Sequence, residues 1–209
     1  MVDLKEFEQK AADLRVLGMK ISIGQDTVYE KYWDEDCRRN IYSASKSFTS
    51  CAVGFAVQEG LIDLDERLMD AFKEDIPNNP DENLKKATVK DLLTMTLGQE
   101  KGFLMGKQRP RMEEQNWVKA SLAIPFVYEP GTHFVYNNVG PYLAGILVQR
   151  RAGCDLLSYL TPRLLKPLGI RKTIWEVDPE GNTFGAGGLF LTVSELHKLG
   201  MFYLQNGCW

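Results

Sequence analysis

The sequence predicts an α+β fold, a helical lobe set against an antiparallel sheet that is incomplete within the chain. Three observations lead there. Residues 19–33 hold two short runs rich in β-branched and aromatic residues around Gly24-Gln25-Asp26, the pattern of a hairpin. From Ser43 to Leu204, apolar residues recur mainly at helical spacing between Gly and Pro stops. The composition, 44% hydrophobic and 25% charged over 209 residues, suits a globular domain with a substantial core. The expected organisation is one domain over 1–209, with an N-terminal helix and hairpin in 1–42 and a mainly helical lobe in 43–209.

Each element has its local reason. Residues 2–16 read as a helix with Phe7, Ala11 and Leu14 on one face, ended by Gly18. Strands follow at Met19–Ile23 and Thr27–Trp33, and Asp34 to Asn40 is a polar connection. A helix beginning near Ser43 places Phe48, Ala52, Phe55 and Ala56 on one side and stops at Gly60. A short helix near Glu66–Phe72 precedes Pro77-Asn78-Asn79-Pro80, which excludes regular structure. Thr88-Val89-Lys90-Asp91 has the form of a capped helix start. Gly98 to Arg111 is a loop region and Asn116 to Ala123 a helix. Val139 to Ala152 is a strongly apolar helix closed by Gly153, and Leu156 to Leu165 another, stopped by Pro167 and Gly169. Gly185-Ala186-Gly187-Gly188 reads as a flexible loop before a last helix from Ser194 to Leu204. A lone hairpin is marginal in water, so helices must cover it or further strands must pair with it.

Charge and composition exclude several function classes. A net charge of −3 and a pI near 5.5 do not suit a nucleic-acid binder, and no basic run is long enough to seek an anionic membrane. No apolar stretch is long enough to span a bilayer, and the charged, amphipathic start does not resemble a secretory signal. The expectation is a cytoplasmic, reduced protein. Cys37, Cys51, Cys154 and Cys208 show no metal-ligand spacing, and Cys51 and Cys154 read as core thiols. Asp63, Asp65 and Glu66 lack calcium-loop spacing, and Gly185–Gly188 lacks a nucleotide-binding pattern. No cofactor and no metal are expected.

Chemistry enters at Ser43-Ala44-Ser45-Lys46. If a helix starts there, residues three apart project from one side, and the Ser43 hydroxyl meets the Lys46 amine. A serine needs a neighbouring base to act as a nucleophile, and burial of a lysine disfavours its charged form. Unpaired N–H groups of a first helical turn favour a developing oxyanion. The pattern also has an ordinary reading. Ser-x-x-Lys arises by chance about once in a chain of this length, and Ser43 or Ser45 is equally suited to capping a helix while Lys46 faces water. Neither histidine, His133 or His197, is accompanied by a Gly-x-Ser-x-Gly elbow, which argues against a Ser-His-Asp hydrolase.

Two further segments match a known pattern: Glu129-Pro130-Gly131-Thr132-His133-Phe134-Val135-Tyr136-Asn137-Asn138, and Gly185-Ala186-Gly187-Gly188-Leu189. Together with Ser43-x-x-Lys46, and with Val89-Lys90-Asp91-Leu92-Leu93-Thr94 and Lys166-Pro167-Leu168-Gly169-Ile170 in support, they run in order over nearly the whole chain. The chain resembles the serine β-lactamase and penicillin-recognising superfamily, most of all the branch with class C β-lactamases, D-alanyl-D-alanine carboxypeptidases and esterases. The resemblance implies a β-lactamase/transpeptidase-like fold and a serine hydrolase acting on an amide or ester, such as a β-lactam, a D-Ala peptide or a small ester. It implies Ser43 as the acylated nucleophile, Lys46 as a group that helps deprotonate it, Tyr136 as a proton carrier and Asn138 as a substrate-binding residue. The backbone N–H of Ser43 would supply half of an oxyanion hole. The implied partner is a small-molecule or peptide acyl substrate. Taken without the resemblance, Tyr136 reads as a core or interface aromatic satisfied by Asn138.

One departure bears on activity. The third motif of the superfamily, a Lys-Thr-Gly or His-x-Gly segment on a central strand, is absent. Lys172-Thr173 is followed by Ile174, and neither histidine has a glycine two places on. The expectation is therefore a domain without its C-terminal strands, either a portion of a longer hydrolase or a short relative whose exposed hairpin edge pairs with another copy. Loss of one oxyanion donor typically costs about 2.7–4 kcal/mol in the transition state, which favours acylation of Ser43 over efficient turnover. A non-catalytic binding module that keeps the fold is the alternative.

Overall fold

A computed structural model describes residues 4–171 and 173–209. In chain order its elements are helix α1 (Lys5–Ala11), strands β1 (Gly18–Ile23), β2 (Asp26–Tyr32) and β3 (Arg39–Asn40), then helices α2 (Ser45–Gln58), α3 (Leu68–Ala71), α4 (Glu82–Lys86), α5 (Val89–Thr94), α6 (Trp117–Leu122), α7 (Val139–Ala152) and α8 (Leu156–Leu160), strand β4 (Phe190–Leu191) and helix α9 (Val193–Leu204). This mixture of helices and small antiparallel sheets is the α+β architecture expected. Among the described residues no helix is long and apolar enough to cross a membrane.

The helical lobe is built around α7. Every residue from Val139 to Gln149 is buried, as expected for a helix that is apolar on all sides. Helices α2 and α5 pack on it. Phe48, Ala52, Val53 and Ala56 are the buried stripe of α2. The crossing with α5 is close: a Cβ at Gly140 would lie 2.3 Å from the Leu92 carbonyl oxygen, so only glycine fits there. Trp117, Tyr142 and Phe184 meet edge to face or tilted, with ring centroids 5.7–6.3 Å apart. Burial of side chains of this size contributes about 1.5–3 kcal/mol each.

Helix ends follow the glycine and capping signals. At the end of α2, Gly60 takes a left-handed φ of 71°, and Leu61 N and Gly60 N donate to Ala56 O and Val57 O, a paired closure of the last turn. Thr88 and Asp91 form the reciprocal cap of α5, and Thr192 and Glu195 do the same for α9.

Several expectations need correction. Helix α1 is shorter than 2–16, and residues 2 and 3 lie outside the described residues. It closes at Arg15, not Gly18: Arg15 adopts φ 53°, Val16 N donates to Ala11 O and Arg15 N to Ala12 O, so a non-glycine residue makes the left-handed turn. Leu14 is consequently exposed. The helix from Leu156 is α-helical only to Leu160 and continues as a π turn over Thr161–Leu165, because Pro162 lacks the N–H that would extend the ladder. Cys154 is exposed, not a core thiol.

The hairpin of β1 and β2 pairs from Gly18↔Tyr32 to Ile23↔Asp26, with an irregularity at Ile21/Ser22. Its two-residue turn has Gly24 at φ 58°, as two-residue hairpin loops require. Helix α9 lies against it: Ser22 Oγ is 3.0 Å from His197 Nε2, and Tyr32 Oη is 3.0 Å from Ser194 Oγ. A second small sheet joins β3 to β4, Arg39↔Leu191 and Asn40↔Phe190. That pairing brings the chain before Ser43 beside the glycine-rich segment at 185–188.

Candidate active site

Ser43 sits not in a helix proper but in a 3-10 turn, Tyr42–Ala44, that runs directly into α2. The turn still aligns residues three apart. Ser43 is exposed, and the Lys46 Nζ donates to its Oγ at 3.2 Å. Tyr42, immediately before it, has φ 47°, an uncommon conformation for a bulky residue. Local bonds hold it there: Tyr42 N donates to Asn40 Oδ1 at 2.7 Å, and the buried Ser45 hydroxyl donates to Tyr42 O at 2.6 Å. Ser45 Oγ in turn accepts from Leu189 N at 3.1 Å. Ser45 is thus neither a nucleophile nor a helix cap. It fastens the Tyr42–Ala44 turn to the chain entering β4.

Tyr136 lies on the segment between Gly131 and α7. Its hydroxyl donates to Ser43 Oγ at 2.7 Å, and Lys46 Nζ lies 5.2 Å from its ring centroid. The structure therefore brings Ser43, Lys46 and Tyr136 together from two segments about ninety residues apart. Lys46 also donates to Asn138 Oδ1 at 2.7 Å and to the Ala186 carbonyl at 2.6 Å, which directs all three ammonium protons. Asn138 Nδ2 donates to Leu104 O at 2.9 Å. Both ends of the Asn138 amide are engaged inside the protein, and the sequence offered no sign that it would orient Lys46.

The segment 185–188 is not a flexible loop. It is buried and anchored at two carbonyls: Thr49 Oγ1 donates to Gly185 O at 2.7 Å and Trp175 Nε1 to Gly187 O at 2.8 Å, while Gln149 Nε2 donates to Thr183 O just before it at 3.1 Å. These bonds set where the Ala186 carbonyl stands. Gly188 has φ 80°, and a Cβ there would lie 2.3 Å from Glu176 Cβ.

Electrostatics follow from this packing. Burial pulls the Lys46 amine below its ordinary value, against the opposing pull of Tyr136, and Arg109 adds to the lowering. For Tyr136, burial alone would raise the phenol, but the bond with Ser43 and the Lys46 charge outweigh it, and the group is held below its ordinary value. An amine and a phenol that both release protons more readily than usual suit proton transfer to and from a serine hydroxyl.

Ser43 opens onto a cleft of about 200 Å³ lined by Tyr42, Met105, Arg109, Asn138, Glu176 and Phe184, among others. His133 lies apart, stacked on Tyr128 with ring centroids 4.2 Å apart. His197 faces the hairpin. The Arg109 wall is a feature that sequence reasoning missed, since it sits in a stretch with no periodicity.

Comparison with known proteins agrees with this architecture. The family model described as Beta-lactamase matches residues 5–207. Monacolin J acid methylbutanoyltransferase of Aspergillus terreus is 31% identical over 157 residues, covering 66% of this chain and 37% of the relative. Lovastatin esterase of Penicillium rubens is 31% identical over 150 residues, covering 61% of this chain and 37% of the relative. This chain thus spans well under half the length of these curated relatives. An octameric penicillin-binding protein homologue from Pyrococcus abyssi superposes with a TM-score of 0.77 at 22% identity, over 98% of this chain and 57% of that one, a likeness of fold.

Proposed function

The chain belongs to the Beta-lactamase family, and from that premise we propose that it transfers the acyl group of an ester or amide through an acyl-serine intermediate at Ser43. One observation carries the reading: Ser43 Oγ is within hydrogen-bond reach of Tyr136 Oη and Lys46 Nζ at once. In the first step, Tyr136 as its phenolate, beside the Lys46 ammonium, takes the Ser43 proton while Oγ attacks the acyl carbon. The backbone N–H of Ser43 faces the oxyanion. Tyr136 then returns the proton to the leaving oxygen or nitrogen as the bond to it breaks. Water, or a second nucleophile, repeats the sequence in reverse on the acyl-serine. Asn138 holds Lys46 in place, and the second lone pair of its carbonyl oxygen is its remaining capacity for a substrate amide N–H.

Hydrolysis and acyl transfer differ only in what attacks the acyl-serine. The names of the two curated relatives, a methylbutanoyltransferase and an esterase, support ester chemistry for this chain over amide chemistry. The test is covalent labelling with a fluorophosphonate, followed by peptide mass mapping. The expected result is one adduct on Ser43 that disappears in Ser43→Ala. Absence of an adduct on the wild-type protein, or its persistence in the variant, overturns the reading and favours a binding module.

A further inference from the structure

The reaction described above leaves one wall of the cleft unused, and that wall is charged. Arg109 and Glu176 line the same cleft as Ser43. The backbone of Arg109 is fixed by a tight turn: Gln108 N and Arg109 N donate to Met105 O at 2.8 and 3.1 Å, and Met105 N donates to Gln108 Oε1 at 2.9 Å. Its guanidinium carbon lies 4.2 Å from the Phe184 ring centroid, a cation–π contact. A guanidinium offers five N–H donors. One of them, Nη1, donates to Glu176 Oε1 at 2.7 Å. Nε is buried with no hydrogen-bond partner among the described residues.

A guanidinium fork is suited to gripping a carboxylate at two points, yet Glu176 meets it at one. Glu176 is also the more solvated partner, 40% exposed against 18% for Arg109, so water can take over the charge of Glu176 more readily than that of Arg109. Met105 and Phe184 line the same space with apolar surface, which suits methylenes. Building on the acyl-serine reading, we infer that Arg109 receives a carboxylate at the far end of the substrate's acyl group, with Glu176 holding the fork and yielding part of its contact. The substrate class is a short ester whose acyl chain ends in a carboxylate, a half-ester of a dicarboxylic acid. A carboxylate entering such a cleft without a cation would meet a desolvation cost that neutral acyl chains avoid.

The experiment is a competition in one tube. The protein is mixed with equal concentrations of the 4-nitrophenyl half-ester of glutaric acid and 4-nitrophenyl valerate, which share a five-carbon chain. The ratio of glutaryl to valeryl adduct on Ser43 is read by mass spectrometry. Arg109 also acts on Lys46, so its replacement slows both esters, and the ratio, not the rate, is the readout. The expected ratio favours glutaryl in the wild type and falls about tenfold or more in Arg109→Ala, the scale of one charge-assisted grip. In Arg109→Lys the fall is partial, and in Glu176→Gln the ratio rises. Valeryl adduct in the same tube reports that each variant is folded. Adducts on wild-type Ser43 with no glutaryl preference, or a ratio unmoved by Arg109→Ala and Glu176→Gln, overturn the inference and leave the acyl-serine reading standing. No adduct on Ser43 from either ester or from a fluorophosphonate overturns that reading, and the inference with it.

Discussion

The Lys46 Nζ stands 2.6 Å from the carbonyl oxygen of Ala186, a residue with no functional group of its own. That carbonyl and Asn138 Oδ1 aim the amine, and Ser43 receives the remaining proton. The direction of the amine is set by backbone geometry as much as by side chains, and the proposed proton path from Ser43 to Tyr136 depends on it.

Removal of the phenol oxygen isolates that path. Tyr136→Phe keeps the ring beside Lys46 but deletes the 2.7 Å bond to Ser43. The rate constant for Ser43 acylation by an activated ester is expected to fall about 10²–10⁴-fold, the usual share of a positioned acid–base group. Stopped-flow release of 4-nitrophenol measures it. A change of less than threefold would assign Tyr136 a packing role.

Acylation is expected to rise with pH. The productive state needs the Lys46–Tyr136 pair to have given up one proton, and both groups lie below their ordinary values of 10.5 and 10.0. The rising limb therefore has its midpoint below pH 10 and levels off above it. Arg109 penalises the Lys46 ammonium, so Arg109→Ala strengthens proton binding and moves the limb to higher pH. A pH–rate profile of acylation, wild type against variant, gives both answers. A limb that moves down in the variant contradicts the assignment.

Two helical glycines make opposite predictions for the same substitution. At Gly140 a Cβ would lie 2.3 Å from Leu92 O, so Gly140→Ala is expected to destabilise by about 1–3 kcal/mol through overpacking. At Gly54, inside α2, a Cβ would meet nothing within 4 Å, and Gly54→Ala is expected to stabilise by about 0.5–1 kcal/mol. Urea unfolding midpoints at constant slope report both.

Legibility in the sequence tracked how local the cause is. Gly60 and Gly153 end their helices where expected because glycine adopts the left-handed turn without strain. Arg15 makes the same turn without being glycine, so no residue type marks the end of α1. The Ser43–Lys46 spacing was readable because three residues span one turn, whether 3-10 or α. Tyr136 was found through the motif around it, not through any periodicity. The second bonds of Asn138, the Ser45 fastening and the Ala186 carbonyl left no signature, because a backbone acceptor can sit on any residue type. Glycines at 185–188 read as mobility, yet here they let a buried segment approach its neighbours closely.

Ser43 and Lys46 are synthesised together, but the acceptors that aim the amine come 92 and 140 residues later. During ribosomal synthesis the early helix therefore emerges before those acceptors exist, and on the proposed chemistry the arming of Ser43 awaits closure of long loops, an entropically slow event. On the proposed chemistry, labelling at Ser43 doubles as a count of molecules that have completed their fold.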